Sequence, residues 1–150
     1  MKIWQHEFVR VCDIEPRRES DGSVSALMPQ SRYSNKNQLS LNRYGKGPFC
    51  KFTIPRDYKV SGVYAILVNK ELKYIGECVN LSSRFNGGYG NISPRNCFKG
   101  GQETNCRINN LVFESARKGG SISLWFLNTQ DHKSVEGALR IKEGPDWNRV

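Results

Sequence analysis

Two tyrosines and an arginine within residues 61–85 are the side chains of this sequence best suited to chemistry. The guanidinium of Arg84 is permanently charged and can bind two phosphoryl oxygens at once as negative charge builds in a transition state. The hydroxyls of Tyr64 and Tyr74 can orient water or phosphate, although a phenol with a pKa of about 10 is a poor base at neutral pH. Taken singly, the two tyrosines would normally be strand packing, and Arg84 is as compatible with a plain surface position as with a functional one.

A β-hairpin must position these side chains. Residues 62–68 form an apolar run rich in β-branched and aromatic types, and residues 72–76 are the returning strand. With the turn centred near Asn69, Tyr64 and Tyr74 fall opposite or nearly opposite each other. Side chains of cross-strand neighbours are close enough to contact the same bound group.

The segments after the hairpin predict further helices and one more strand. The expected elements are a short helix capped by Asn80, a loop over 86–102, a helix over 106–118, a strand over 121–128 and a last helix from 131 or 134 to 142. This order, β-β-α-α-β-α, predicts an α+β fold with a three-stranded antiparallel sheet flanked by helices. Upstream, residues 1–14 suit a strand or an amphipathic segment equally, and residues 49–54 predict an edge strand.

The triplets Gly62-Val63-Tyr64 and Tyr74-Ile75-Gly76, followed by Arg84, Glu136 and Asn148, resemble the signature of the GIY-YIG nucleases. The resemblance runs from Gly62 to the C-terminus, with Val63 in place of the family's isoleucine. Either triplet alone would be a weak signal. Both triplets at hairpin distance, with the arginine and the glutamate following in order, are a specific one.

The resemblance implies a role for each matched residue. Tyr64 would help to activate the attacking water, Tyr74 would orient water or phosphate, and Arg84 would hold the phosphate. Glu136 matches the metal-binding carboxylate and Asn148 the final asparagine of the family. The implied cofactor is one Mg²⁺ per active site, with Mn²⁺ able to replace it, because a hard cation is typically held by one or two carboxylates plus waters. By spacing alone, a first-turn glutamate would simply favour the helix dipole.

Two further catalytic candidates depend on the same resemblance. Tyr89 is the candidate for the His or Tyr that some branches place shortly after the arginine. Lys73 lies next to Tyr74 and is a candidate partner for a phenolate, although it points to the other face of an ideal strand. Lys70 or a metal-bound hydroxide are the alternatives for accepting the proton.

Length, charge and cysteine content narrow the class of protein. The chain has 150 residues, enough for one domain with a hydrophobic core, and a formal net charge of +9, which favours a polyanionic partner. An apolar run long enough to span a membrane is not found in the sequence. Five cysteines without a Cys-x-x-Cys pair predict reduced thiols in a cytoplasmic protein. A zinc site from Cys97, Cys106 and His132 is an alternative of low weight.

Basic and aromatic residues are interleaved in two segments that we expect to contact DNA. We expect residues 1–60 to form an N-terminal extension packed on the core, and residues 61–150 to form the nuclease core. The predicted DNA-binding residues are Arg32, Arg43, Lys46, Arg95 and Lys99.

The function expected from these features is a divalent-metal-dependent endonuclease that hydrolyses DNA phosphodiester bonds. The resemblance favours the restriction-type branch, which cuts short sites as dimers or higher oligomers, so a homodimer is expected. The alternatives are a structure-directed repair or mobile-element nuclease and a non-catalytic nucleic-acid-binding module on a degenerate nuclease fold. A rival motif, Pro55-Arg56-Asp57 with Glu71-Leu72-Lys73, would need Glu71 on a central strand rather than at a hairpin turn.

Overall fold

The structure is a computed structural model that describes residues 1–149. The strands are β1 (Lys2–Ile3), β2 (His6–Glu7), β3 (Val9–Asp13), β4 (Gly62–Val68), β5 (Glu71–Cys78) and β6 (Ile122–Asn128). The helices are α1 (Leu81–Arg84), α2 (Glu103–Arg117) and α3 (His132–Glu143), with a π-helical turn over Phe85–Tyr89 and 3-10 turns over Pro29–Arg32, Pro94–Cys97 and Asp146–Asn148. The chain forms two compact units, the sheet unit (residues 1–14, 54–84 and 120–149) and the loop-rich unit (residues 15–53 and 85–119).

The sheet unit is built on an antiparallel sheet with the strand order β3-β6-β4-β5. The three strands expected from the sequence pair as predicted, and the expected α+β arrangement is confirmed. The N-terminal segment adds a fourth strand, β3, whose residue Val9 pairs with Phe126. Strand β5 is therefore one edge of the sheet.

Alternation along β4 divides its residues between the two faces of the sheet. Val63, Ala65 and Leu67 lie in one buried cluster with Ile75 of β5 and Leu139 of α3. The residues between them in the chain face the other side. The last helix therefore packs on the face opposite to that of Tyr64.

The hairpin turn and the helix after it follow local sequence signals. Asn69 and Lys70 have φ values of 50° and 68°, the conformation of a tight two-residue turn. Strand β5 consequently begins at Glu71, one residue earlier than expected, and Glu71 is exposed at the end of the sheet. This placement removes the rival motif, which needs Glu71 on a central strand. Asn80 caps α1 as predicted, accepting the Ser83 N–H at 3.0 Å.

The loop-rich unit differs from the sequence-based expectation in two segments: residues 49–54 are less regular than predicted, and residues 86–102 are more regular. The expected strand over 49–54 does not form. Phe49 makes only an isolated bridge to Leu27, because the backbone around it is tied to other loops. The expected loop over 86–102 contains the π-helical turn and the 3-10 turn Pro94–Cys97, and α2 begins at Glu103 rather than at Cys106.

A buried carboxamide holds the loops of this unit together. The side chain of Asn109 on α2 is fully buried. Its Oδ1 accepts the Cys50 N–H at 3.0 Å, and its Nδ2 donates to the carbonyl oxygens of Cys50 and Tyr89, both at 2.8 Å. One side chain thus replaces the backbone partners that a sheet would have supplied.

Replacing this carboxamide should destabilise the protein strongly. Asn109→Ala leaves three buried backbone groups without partners, so we expect the free energy of unfolding to fall by about 3 kcal/mol. Asn110→Ala is the matched control, because Asn110 makes one hydrogen bond to the Tyr44 carbonyl from a partly exposed position. The control should cost about 1 kcal/mol or less in urea unfolding. Equal losses in the two variants would contradict the assignment.

Candidate active site

The two tyrosines of the hairpin contact each other on one face of the sheet. Tyr64 pairs in register with Gly76, and Tyr74 pairs with Ile66, so the tyrosines are diagonal rather than directly opposite. Their ring centroids are 6.1 Å apart. Tyr64 is 1% exposed and Tyr74 is 8% exposed, so both side chains are packed in the core.

Glycine at position 76 lets the ring of Tyr64 cross the neighbouring strand. A Cβ at position 76 would lie 2.4 Å from Tyr64 Oη and 2.3 Å from its Cζ. No side chain fits there, so the phenol lies directly over the edge strand β5. The glycine of the first triplet is also required, since a Cβ at Gly62 would lie 2.1 Å from the Leu127 carbonyl oxygen.

Arg84 ends α1, close to the last residue of β5. Burial raises the pKa of the Cys78 thiol to about 11, and the positive charge of Arg84 opposes that rise. Cys78 alternates with Gly76 and Tyr74 along β5 and therefore shares their face of the sheet. The arginine is exposed and accessible to a bound phosphate.

Tyr89, the residue expected shortly after the arginine, lies in the π-helical turn of the loop-rich unit. Its ring is 1% exposed and packs edge-on against Phe85, with centroids 5.2 Å apart. Its carbonyl oxygen is the one that Asn109 binds. The catalytic role of Tyr89 stays a prediction.

Glu136 lies in the second turn of α3 rather than the first, because the helix begins at His132. Its side chain is only 13% exposed, and its Oε1 lies 3.5 Å from Arg140 Nη1. Burial raises the pKa of Glu136. The Arg140 guanidinium opposes this rise, and the Glu77 carboxylate adds to it. The surroundings of this carboxylate therefore disfavour its charged form, a feature that is common at functional sites.

A carboxylate–imidazole pair that the sequence analysis missed lies beside Glu136. His132 Nδ1 is 2.5 Å from Glu77 Oε2, and the two side chains are 12% and 28% exposed. The contact joins the first turn of α3 to β5 at the residue after Gly76. Two signals were present in the sequence: Glu77 directly follows the second triplet, and His132 is one helical turn before Glu136.

The tyrosines and the glutamate approach the edge strand from opposite faces. Tyr64 crosses β5 at Gly76 on one face, and α3 packs on the other face, where His132 reaches Glu77. The candidate site is thus centred on consecutive residues of an edge strand. The sequence predicts that the two tyrosines lie together, but it does not predict that α3 and the tyrosines lie on opposite faces of β5.

Asn148 contacts the same strand through its backbone. Its Oδ1 accepts the Ile75 N–H at 2.9 Å, and its Nδ2 donates to the Ile75 carbonyl oxygen at 2.8 Å. The carboxamide thus satisfies the open edge of β5 as a neighbouring strand would. This geometry gives Asn148 a positioning role for the tyrosine strand.

Lys73 is the extra residue at a bulge in β5, opposite the step from Ile66 to Leu67. Its Nζ lies 3.3 Å from a Glu71 carboxylate oxygen and 3.4 Å from one of Asp146. Partial burial lowers the pKa of Lys73, but the two carboxylates outweigh it and the net shift is upward. A lysine held in this charged state is a donor at neutral pH rather than a proton acceptor.

The predicted DNA-binding residues are all exposed in the loop-rich unit, but they differ in what they already bind. Arg43 forms an ion pair with Glu103 at 2.7 Å. Arg95 donates to the Lys99 carbonyl oxygen at 3.0 Å and so braces its own loop. The backbone oxygen of Lys46 accepts a hydrogen bond from Gln30 Nε2 at 2.7 Å. The side chain of Lys46 is exposed. Arg32 ends the first 3-10 turn.

The donor set fits a single-carboxylate metal site and no larger one. Among residues 1–149, no group of three or more His, Cys, Asp or Glu side chains is disposed to hold a metal ion, which removes the zinc alternative. Glu136 is a hard oxygen donor whose ionised form is disfavoured by burial and by the Glu77 carboxylate. A divalent cation would favour that ionised form, so the residue fits Mg²⁺ or Mn²⁺.

No family model and no curated protein matches this chain. Among solved structures, the chain resembles a mutant of bacteriophage T4 EndoII with a TM-score of 0.53 and 18% sequence identity. The match covers 94% of this chain and 90% of the phage protein. The likeness supports the expected GIY-YIG-like fold over nearly the whole length of the chain. No helix within residues 1–149 is long and apolar enough to cross a membrane.

Removing the charge of Glu136 should stabilise the protein. A folded-state pKa above the unfolded value means that the carboxyl group stabilises the fold when it is protonated, and that this stability is lost as the pH rises through the folded pKa. Glu136→Gln, neutral throughout, should therefore melt at a higher temperature than the parent protein at about pH 7. The gain should vanish at about pH 4, where the parent carboxyl is itself protonated.

The control for this experiment is Glu19→Gln, which changes an exposed loop carboxylate. Its melting temperature should match that of the parent protein at both pH values. If Glu136→Gln melts lower than the parent at neutral pH, the carboxylate is a stabilising ion-pair partner of Arg140, and the functional interpretation of its burial fails.

Proposed function

We propose that this protein is a divalent-metal-dependent endonuclease that hydrolyses DNA phosphodiester bonds. The observation that carries the proposal is the edge of β5, where the Tyr64 phenol crosses Gly76 on one face and α3 brings Glu136 and its buried charge to the other. The likeness to phage T4 EndoII supports a nuclease on this fold. The net charge of +9 supports a DNA partner.

Each residue of the site contributes a separate step. Arg84 binds the scissile phosphate and offsets the charge that builds on its oxygens. The Tyr64 hydroxyl orients the attacking water, and Tyr74 buttresses the Tyr64 ring. Glu136 would hold the cation, which when bound lowers the pKa of a water and neutralises phosphate charge.

The Glu77–His132 contact positions Glu136. Through it, the first turn of α3 is fastened to β5 directly beside the residue that Tyr64 crosses. Positions four residues apart on a helix share a face, so the orientation of His132 sets that of Glu136. We assign His132 as a positioning residue rather than a metal ligand.

The remaining parts of the proposal concern specificity and assembly. The exposed cations of the loop-rich unit, Arg32, Lys46 and Lys99 among them, would contact the phosphate backbone and select the site, as in a restriction-type enzyme. A homodimer would cut both strands of a short site. The five free cysteines suit the reducing cytoplasm.

Activity should require the hydroxyl of Tyr64 but not the hydroxyl of every tyrosine. Plasmid DNA should be cut with Mg²⁺ or Mn²⁺ and remain intact with a chelator. Tyr64→Phe keeps the packed ring and should lower the single-turnover rate by about 100-fold, the usual scale for positioned proton-transfer groups. Arg84→Ala should lower it at least as much.

Tyr58→Phe is the control for the hydroxyl deletion, because Tyr58 packs edge-on against Phe126 in the same unit and lies outside the proposed site. It should cut at the parental rate. If Tyr64→Phe also cuts at that rate while melting early, then Tyr64 is a core residue and the mechanism is wrong.

A positioning role for His132 predicts a specific kinetic signature. His132→Ala should raise the Mg²⁺ concentration needed for half-maximal cleavage, because Glu136 is then less well oriented. Excess Mg²⁺ should restore most of the rate. A loss of rate that no Mg²⁺ concentration restores would assign His132 to the reaction itself, and an unchanged metal dependence would remove it from the site.

A further inference from the structure

A pocket of about 520 Å³ lies in the loop-rich unit, formed by residues 26–29, 31–32, 49–51 and 91–92. Its volume falls within the range of small-molecule sites, about 300 to 1,000 Å³. Reciprocal backbone hydrogen bonds of 2.7 and 2.9 Å between Leu27 and Phe49 hold two of its walls. The pocket is therefore built on a fixed backbone frame.

Part of the pocket wall is apolar, and some of its apolar side chains remain exposed. Phe49 and Ile92 form a buried lining, at 1% and 7% exposure. Leu27 and Met28 at the rim keep 43% and 49% of their surface exposed. Apolar side chains gathered around a concavity in this way are typical of a binding site.

The charge around the pocket is positive and uncompensated. Arg32 and Lys51 line it, and no aspartate or glutamate does. Within residues 1–149 neither cation forms an ion pair, whereas Arg43 and Arg117 each bind a carboxylate. The exposed carboxamide of Asn91 adds hydrogen-bond donors and acceptors at the same opening. An apolar wall beside two free cations suits a ligand that joins a flat apolar group to an anion.

We propose that this pocket takes one nucleotide displaced from the stack of the bound DNA. The base lies against Leu27, Met28 and Ile92, Asn91 reads its edge, and Arg32 and Lys51 bind the flanking phosphate. In a regular duplex the faces of a base are covered by its neighbours, so a concave site can enclose a base only after it is extruded. The proposal rests on the proposed function, because it takes DNA as the substrate.

The energy of extrusion makes the pocket selective. Unstacking and unpairing cost a few kcal/mol in a fully paired site and least where a base is already unpaired. At flexible pyrimidine–purine steps, the energy cost of extruding a base falls between that of a fully paired site and that of an unpaired base. The pocket therefore favours DNA that gives up a base easily, which is a form of site selection without contacts to paired bases.

Fluorescence anisotropy without divalent metal tests this site apart from cleavage. The probes are a fully paired duplex and the same duplex with one unpaired nucleotide, at a single salt concentration. The parent protein should bind the bulged duplex about tenfold more tightly than the paired one. The unpaired nucleotide of the bulge needs less energy for extrusion, and the saved energy appears as affinity. Ala26→Phe fills the pocket from an exposed lining position and should abolish the difference.

Two controls separate the pocket from general effects. Leu39→Phe adds an aromatic ring at an exposed leucine of the same unit, away from the pocket. This variant should keep the preference for the bulged duplex. Lys51→Gln should weaken the preference, whereas Lys118→Gln, which removes an exposed lysine just beyond α2, should not. Circular dichroism and melting curves establish that each variant is folded.

The outcomes distinguish failure of the pocket from failure of the nuclease. Equal affinity of the parent protein for the two duplexes overturns the pocket proposal and leaves the nuclease intact. A preference that survives in Ala26→Phe overturns it as well. If neither duplex binds, also when the titration is repeated at lower salt concentrations, the proposed function itself is wrong. Competition by deoxyadenosine monophosphate at the concentration of the DNA would make this a site for free nucleotides and overturn the proposal for extruded DNA.

Discussion

The close approach of the Tyr64 ring to Gly76 is the constraint on which the rest of the candidate site depends. It requires a glycine on the edge strand, a tyrosine on its neighbour and a register that brings them together. A slip of one residue would turn every side chain of β5 to the other face of the sheet. The two triplets therefore act as one packing unit, and their spacing follows from the two-residue turn at Asn69 and Lys70 together with the bulge at Lys73.

The edge strand collects the other parts of the site through consecutive residues. The backbone of Ile75 is bound by Asn148, Gly76 lies under the phenol, and Glu77 holds His132 and with it the start of α3. An edge strand normally carries open backbone groups that invite aggregation. Here the side-chain carboxamide of Asn148 closes part of that edge.

The surroundings of Glu136 disfavour the charge of its carboxylate. Its carboxylate is largely buried, with the Arg140 guanidinium at 3.5 Å, and the nearby Glu77 adds to the cost of its charge. A core position selected for stability would carry an uncharged residue. The loop-rich unit shows the complementary strategy, since Asn109 supplies backbone partners so that its loops can present cations and a pocket rather than a sheet.

The sequence by itself determined the hairpin, its tyrosines, the capped helix and the later strand and helices, because periodicity, turn residues and caps act over a few neighbouring residues. Only the tertiary structure decided that residues 9–13 add a fourth strand, that 49–54 form none, and that Asn148 binds Ile75. It also decided that Lys73 is held by two carboxylates and that His132 meets Glu77. Each of these features depends on residues that are far apart in the chain. Packing and the need to satisfy buried polar groups decide which of them meet, and neither of these two factors produces a local sequence pattern.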